Sequence, residues 1–476
     1  MVQWFVAVCV LILVACLWTT LRYLRSGSLP TALLRGLRWD RSRRPTRDCW
    51  PNRCRSAHSS DDAPAEGADA VRLICKPSAL ASHLVKNCPT FSHFPFGSKW
   101  SWRANPFLQT VFGACWISDS TVHFVRDHLQ MSDGGLVALD WAVAGSAWHK
   151  RRRTTSNSTN PVLLIIPNSF GKITGNVLKL CEEGLHHGYL PVLFNRRGQN
   201  GTPLATARLQ QFGDPADLRE AVCYIRYRQP ASRLYAVSES TGSGLLLSYL
   251  GECGSSSYLT AAGCISPILR CQAWYDSTTH WPYSAALLLY QKISLSRYRT
   301  ALGEALFSCS SLRSLEEALF CRAAEGRASL EGGGAEGGAF WEQYWERNEA
   351  LRDVDEVAVP VLSVCSRDDP VRGDPMGTLP LELFRSNPHL FLLLTGGGGH
   401  CGFATPTGSW SHCALLQFFQ SATDFCSSQE RVRRVSRAVR HHSGSTCRKP
   451  PPCPPAARAC PPATLTFSSW QRSYTR

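Results

Sequence analysis

The sequence predicts an α/β protein: a mostly parallel central sheet with helices on both faces and an inserted helical cap. Three observations predict it. Short apolar runs alternate with helix-patterned segments from about residue 135 to residue 425. Several runs are apolar at nearly every position, as strands buried on both faces require. Small, polar and glycine-rich residues follow the runs, and an open sheet gathers its ligands at those carboxyl ends.

Taken in order, residues 2–21 are uncharged and almost wholly apolar, with Gln3, Thr19 and Thr20 the exceptions. About 20 such residues span a bilayer as a helix. The basic leading region of a cleaved signal is absent, and Val14-Ala15-Cys16 is a poor cleavage site. The segment therefore reads as an uncleaved single-pass anchor placing the protein in the secretory pathway. A signal peptide, cleaved to leave a secreted protein, is the alternative. Arg22, Arg25, Arg35 and Arg38 favour the cytoplasmic side. The triplets Asn157-Ser-Thr and Asn200-Gly-Thr favour the lumen, so orientation stays open.

The formal charge of +15 is concentrated at the ends. Residues 22–55 carry ten arginines against Asp40 and Asp48, and residues 431–476 carry nine arginines, Lys449 and no acid. The remainder is close to neutral, which excludes a basic nucleic-acid-reading face there. Residues 22–70 read as a basic linker and residues 428–476 as a disordered, Pro-rich basic tail suited to anionic lipid surfaces. The 21 cysteines are scattered, with no zinc-ligand spacing. Cys223, Cys264 and Cys365 read as small core residues, while disulfides among Cys49, Cys54, Cys75 and Cys88 stay open.

Residues 71–427 read as one folded domain. Trp100, Trp102, Phe107 and Trp116 give its first part too many aromatics for disorder. Gly135-Leu-Val-Ala-Leu-Asp-Trp141, Pro161-Val-Leu-Leu-Ile-Ile166, Leu190-Pro-Val-Leu-Phe-Asn195, Leu234-Tyr-Ala-Val237 and Ala261-Ala-Gly-Cys-Ile-Ser266 read as strands. Residues 173–188 and 217–227 read as helices, and another opens at Leu245. Residues 268–350 break the rhythm with Trp274, Trp281 and a glycine-rich spacer, and read as a mostly helical cap insertion. Strands return at residues 359–365 and 390–394, followed by a helix over about 410–425.

Three residues at strand ends make a chemical set: Ser240, then Asp369, then His400. Nucleophilic acyl transfer needs a hydroxyl, a base and an acid that orients the base. Ser240 lies in a small-residue turn between an apolar strand and an apolar helix. Asp369 lies in Cys365-Ser-Arg-Asp-Asp-Pro-Val371, and His400 in Gly396-Gly-Gly-Gly-His-Cys-Gly-Phe403. Backbone donors for an oxyanion are expected from Pro167-Asn-Ser-Phe-Gly171, at Ser169 and Phe170, and from Thr241. No metal or organic cofactor is implied.

Asn105-Pro-Phe-Leu-Gln-Thr110, Asp133-Gly-Gly-Leu-Val-Ala-Leu-Asp-Trp141, Phe194-Asn-Arg-Arg-Gly198, Leu245-Leu-Leu-Ser-Tyr-Leu250 and Gly398-Gly-His-Cys-Gly-Phe403 carry a family likeness. Over roughly residues 90–425 the chain resembles the α/β-hydrolase family of membrane-anchored lipid esterases and bacterial YheT-like proteins. The resemblance implies the α/β-hydrolase fold, Ser240 as nucleophile, Asp369 rather than Asp368 as acid, and His400 as base. It implies a serine hydrolase of acyl esters, with an acyl lipid as substrate. The departures from the G-x-S-x-G elbow of this fold are Ser238 and Ser243 in place of glycines, and Glu239 beside the reacting oxygen. Ser238 is expected to crowd the turn, and Glu239 to face solvent or to repel a developing oxyanion. A second reading follows, a catalytically weak or inactive relative that binds a lipid or a protein partner and regulates lipid metabolism.

Overall fold

The computed structural model describes residues 71–94, 105–115, 122–144, 159–277, 281–303, 307–321, 337–405 and 408–443. Apolar runs without a polar face bury both sides only inside a sheet covered twice. The chain places them in one nine-stranded sheet ordered β1-β9-β8-β7-β6-β4-β5-β3-β2. The strands are β1 (Arg72–Ile74), β2 (Val122–Gln130), β3 (Leu136–Ala144), β4 (Val162–Ile166), β5 (Leu190–Asn195), β6 (Leu234–Glu239), β7 (Leu259–Ile265), β8 (Val361–Ser366) and β9 (Leu390–Thr395). β4 to β9 pair in parallel. β1, β2 and β3 join antiparallel at the two edges. The α/β fold with a mostly parallel sheet, expected from the alternating pattern, is the fold observed.

The helices are α1 (Ala79–Asn87), α2 (Pro106–Cys115), α3 (Gly175–His186), α4 (Ala216–Arg228), α5 (Gly242–Cys253), α6 (Cys271–Asp276), α7 (Trp281–Leu295), α8 (Leu312–Phe320), α9 (Gly337–Asn348) and α10 (Trp410–Ser443), with shorter turns between them. Side chains alternate across a strand, so β4 feeds two cores. Leu163 and Ile165 pack with Val177 and Leu180 of α3 and with Leu415, Phe418 and Phe419 of α10. Val162, Leu164 and Ile166 pack with Leu218 of α4 and with Leu246 and Leu250 of α5. Each such leucine contributes about 1.5–3 kcal/mol when fully buried.

Between β7 and β8 the chain forms α6, α7, α8 and α9. They dock through aromatic rings: the Trp345 centroid lies 5.3 Å from those of Phe212 and Tyr275. The Trp274 indole donates to Val371 O at 3.0 Å, tying α6 to the loop after β8.

Polar residues in the strand-end motifs act as internal ties. Arg197 forms paired hydrogen bonds to buried Asp217 (2.6 and 2.7 Å) and to Asp133 (2.7 and 2.9 Å). Asn195 donates to Asp140 at 2.8 Å, and Arg126 clamps the same carboxylate at 2.6 Å. These contacts fix β3 and the loop after β5 against the parallel strands. Pairing of this kind offsets the cost of burying a charge.

The sequence reading differs from the structure in four places, one of them Cys223, which reads as a core residue and lies exposed on α4. β1 and β2 have no counterpart in it; β1 is three residues long and β2 is largely half-exposed and polar, so neither has an apolar run. α10 continues to Ser443, into the segment read as tail. The expected secretory-pathway localisation, as a single-pass anchor or a secreted protein, is withdrawn. Among the described residues no helix is long and apolar enough to cross a membrane. The longest, α10, is interrupted by Arg431, Arg433, Arg434, Arg437 and Arg440. Residues 2–21 and 22–70, on which that expectation rested, lie outside the described residues, as does the tail beyond Ser443.

Candidate active site

Five loops meet at the carboxyl edge of the parallel strands, one each after β4, β6, β7, β8 and β9. β6 ends at Glu239 and α5 starts at Gly242, so Ser240 and Thr241 make the whole turn. Ser240 takes φ 53°, a left-handed conformation that costs a non-glycine residue energy. Its amide holds that shape by donating to Ile265 O at 2.9 Å. Gly242 is required next: a Cβ there would lie 2.2 Å from Pro167 O of the loop after β4.

The three expected residues come together. Ser240 Oγ lies 2.7 Å from His400 Nε2. His400 Nδ1 lies 2.8 and 3.0 Å from the two carboxylate oxygens of Asp369. With Nδ1 protonated, the imidazole donates to Asp369 and accepts from the Ser240 hydroxyl. The Val371 and Arg372 amides each donate to Asp369 Oδ1 at 2.9 Å. Burial alone would raise the Asp369 carboxyl. The adjacent His400 and the Arg372 charge outweigh burial and hold it below the usual carboxylate range.

Asp368 has a different task. Its carboxylate accepts from the Gly399 amide at 2.9 Å, holding the His400 loop. Ser366 donates to Gly399 O at 2.7 Å, Thr110 Oγ1 accepts from the His400 amide at 2.9 Å, and Ser266 Oγ accepts from the Cys401 amide at 2.9 Å. Asn176 donates to Cys401 O. Gly399 takes φ +60°, and a Cβ there would lie 2.4 Å from Pro106 O of α2. Sequence reasoning missed Thr110, Asn176, Ser266 and Ser366. Each is a single polar residue whose partner is between 33 and 290 positions away, so no local spacing marks it.

The elbow departures resolve into contacts. Ser238 and Ser243, both fully buried, hydrogen-bond to each other at 3.0 Å, and Ser238 also reaches Cys264 Sγ at 3.4 Å. The two glycine replacements thus satisfy one another beneath the turn, and the expected crowding does not arise. Glu239 is neither solvent-facing nor left without a partner: it is 4% exposed and accepts from Thr174 Oγ1 at 2.9 and 3.1 Å. Burial raises its carboxyl above the usual range, favouring the neutral form.

The loop after β4 brings Ser169 and Phe170 beside the elbow, but the Ser169 amide donates to Thr241 Oγ1 at 3.0 Å. That amide is therefore engaged within the protein. No hydrogen bond engages the Phe170 or Thr241 amide among the described residues.

Two outcomes are expected. Ser238→Ala or Ser243→Ala leaves a buried hydroxyl short of a partner and destabilises by about 1–3 kcal/mol. The double Ser238→Ala/Ser243→Ala variant is destabilised by less than the sum, as a denaturant double-mutant cycle reads directly; strict additivity would refute the pairing. For Glu239 the folded-state pKa is raised, so its contribution to stability is present below the usual glutamate range and is lost as pH rises through the raised value. The melting temperature of Glu239→Gln relative to wild type should therefore climb with pH above that range. A difference that is constant across pH would contradict this.

No family model matches the chain. It is 48% identical to human Protein ABHD15 over 85% of this chain and 85% of that protein. It is 25% identical to mouse Phospholipase ABHD3, covering 71% of this chain and 79% of that one. It is 23% identical to the Monoacylglycerol lipase of Saccharomyces cerevisiae, covering 63% and 74%. The chain belongs to the α/β-hydrolase family, with ABHD15 and ABHD3 among its relatives.

Proposed function

We propose that the chain is a serine hydrolase that cleaves acyl esters of lipids. The observation that carries this reading is the unbroken hydrogen-bonded series Ser240–His400–Asp369, with Ser240 on a left-handed turn. The relatives named phospholipase and monoacylglycerol lipase support a lipid ester as the substrate class.

In this reading Ser240 Oγ attacks the ester carbonyl carbon while His400 Nε2 takes the hydroxyl proton. Asp369, held as a carboxylate by His400 and Arg372, orients the imidazole and stabilises its charged form. The carbonyl oxygen, now negative, accepts from the amides of Phe170 and Thr241, which no hydrogen bond engages among the described residues. The alcohol leaves with the proton from His400, giving an acyl-enzyme. Water, deprotonated by His400, then releases the acid and restores Ser240. Helices α6 to α9 serve as the cap over this site, and Trp274 couples the cap to the acid loop.

The Ser238–Ser243 pair and the Glu239–Thr174 contact support a usable elbow over a decayed one. The test is hydrolysis of monoacylglycerol and p-nitrophenyl esters of graded chain length. Wild type is expected to turn over, and Ser240→Ala, His400→Ala and Asp369→Asn each to lose about 10³-fold or more in kcat at unchanged melting temperature. A folded wild type without turnover, or with turnover that survives Ser240→Ala, would refute the reading.

A further inference from the structure

A cavity lies against the loop after β4, between the sheet edge and the cap, and is lined by Ser169, Phe170, Arg196, Gln210, Gln291 and Glu316, among others. Its chemistry is unusual for a space beside an ester-cleaving site. Arg196 is 4% exposed. Its guanidinium donates to Gln211 O at 3.2 Å and to Phe212 O at 3.3 Å, both neutral acceptors. Among the described residues it forms no ion pair, whereas its neighbour Arg197 forms two. A buried cation whose hydrogen bonds go only to neutral carbonyls is costly, and a ligand anion relieves that cost. Two further groups in the same cavity are incomplete: Gln210 Oε1 and Gln291 Oε1 are buried acceptors without a hydrogen-bond partner among the described residues. They call for donors, which an anion alone does not bring.

We propose that this cavity is a headgroup subsite for an acyl ester that carries both an anionic oxygen and a free hydroxyl. Arg196 holds the anion, and Gln210 and Gln291 accept from the hydroxyl. The cut at Ser240 rests on the function proposed above; the binding does not. A neutral glycerol headgroup would leave the guanidinium unpaired and so would bind less well. Among the described residues, Glu316 of α8 is the carboxylate that lines the cavity. The Tyr344 hydroxyl donates to it at 2.6 Å; its charge and that of Arg196 attract each other, while burial pushes its carboxyl up to about 7.

The test is calorimetric titration of the full-length Ser240→Ala protein, which binds without turnover, with four probes. These are octanoyl lysophosphatidic acid, monooctanoylglycerol, octanoate and inorganic phosphate. The lysophosphatidic acid is expected to bind at least about tenfold more tightly than monooctanoylglycerol. Arg196→Met should remove that preference, bringing the two lipids to equal affinity, and Glu316→Gln should widen it. If Arg196→Met does not fold, Arg196→Lys, which keeps the charge but loses the planar fork, should narrow the preference. Equal binding of the two lipids, or a preference untouched by the Arg196 variants, overturns the subsite. Octanoate or inorganic phosphate binding as tightly as the lysophosphatidic acid also overturns it, because the site would then take a free anion and not a headgroup. Ester turnover by wild type is read separately. Turnover without the preference sinks the subsite alone, and the preference without turnover sinks only the catalytic reading.

Discussion

The parallel pairing of β4, β6, β7, β8 and β9 is the constraint on which the rest depends. Parallel strands end on the same edge, so five loops distant in sequence open into one space. Ser240, Ser266, Asp369 and His400 follow four of those strands, and Phe170 follows the fifth. The register is itself enforced by burial: β4, β5, β6, β8 and β9 are buried at every position, and a one-residue slip would exchange their two packed faces. The chemistry of the edge is therefore a consequence of how the two cores fill.

Within that edge, the His400 loop is the piece with least intrinsic order. Glycines let it approach α2 closely, at the conformational cost that glycine always brings. Side chains from α2, α3, β8 and the loops after β7 and β8 offset that cost by satisfying the backbone groups of residues 399–401. The same logic governs the elbow. A turn that usually tolerates only glycine accepts Ser238 because Ser243 stands opposite it. Two departures that each look harmful are compatible as a pair.

This explains what was legible in the sequence. The fold was readable because it is written in long apolar runs and their alternation, a local signal. The order Ser240, Asp369, His400 was readable because each follows such a run. The preference for Asp369 over Asp368 rested on likeness alone; in the structure Asp369 is the one that reaches His400 and Asp368 holds the loop. The fate of Glu239 and the Ser238–Ser243 pairing were illegible, since both depend on where a side chain points inside a closed turn. The engagement of the Ser169 amide by Thr241 was illegible for the same reason. The edge strand β2 escaped notice because one of its faces meets solvent and its pattern is polar.

On these contacts the altered elbow still presents a reactive Ser240. Peptide-mapped mass spectrometry after exposure to a fluorophosphonate tests it most directly. A single adduct is expected on the peptide containing Ser240, absent when the protein is first heat-unfolded and absent in His400→Ala. An unmodified Ser240 in folded protein, or an adduct that persists without His400, would contradict it.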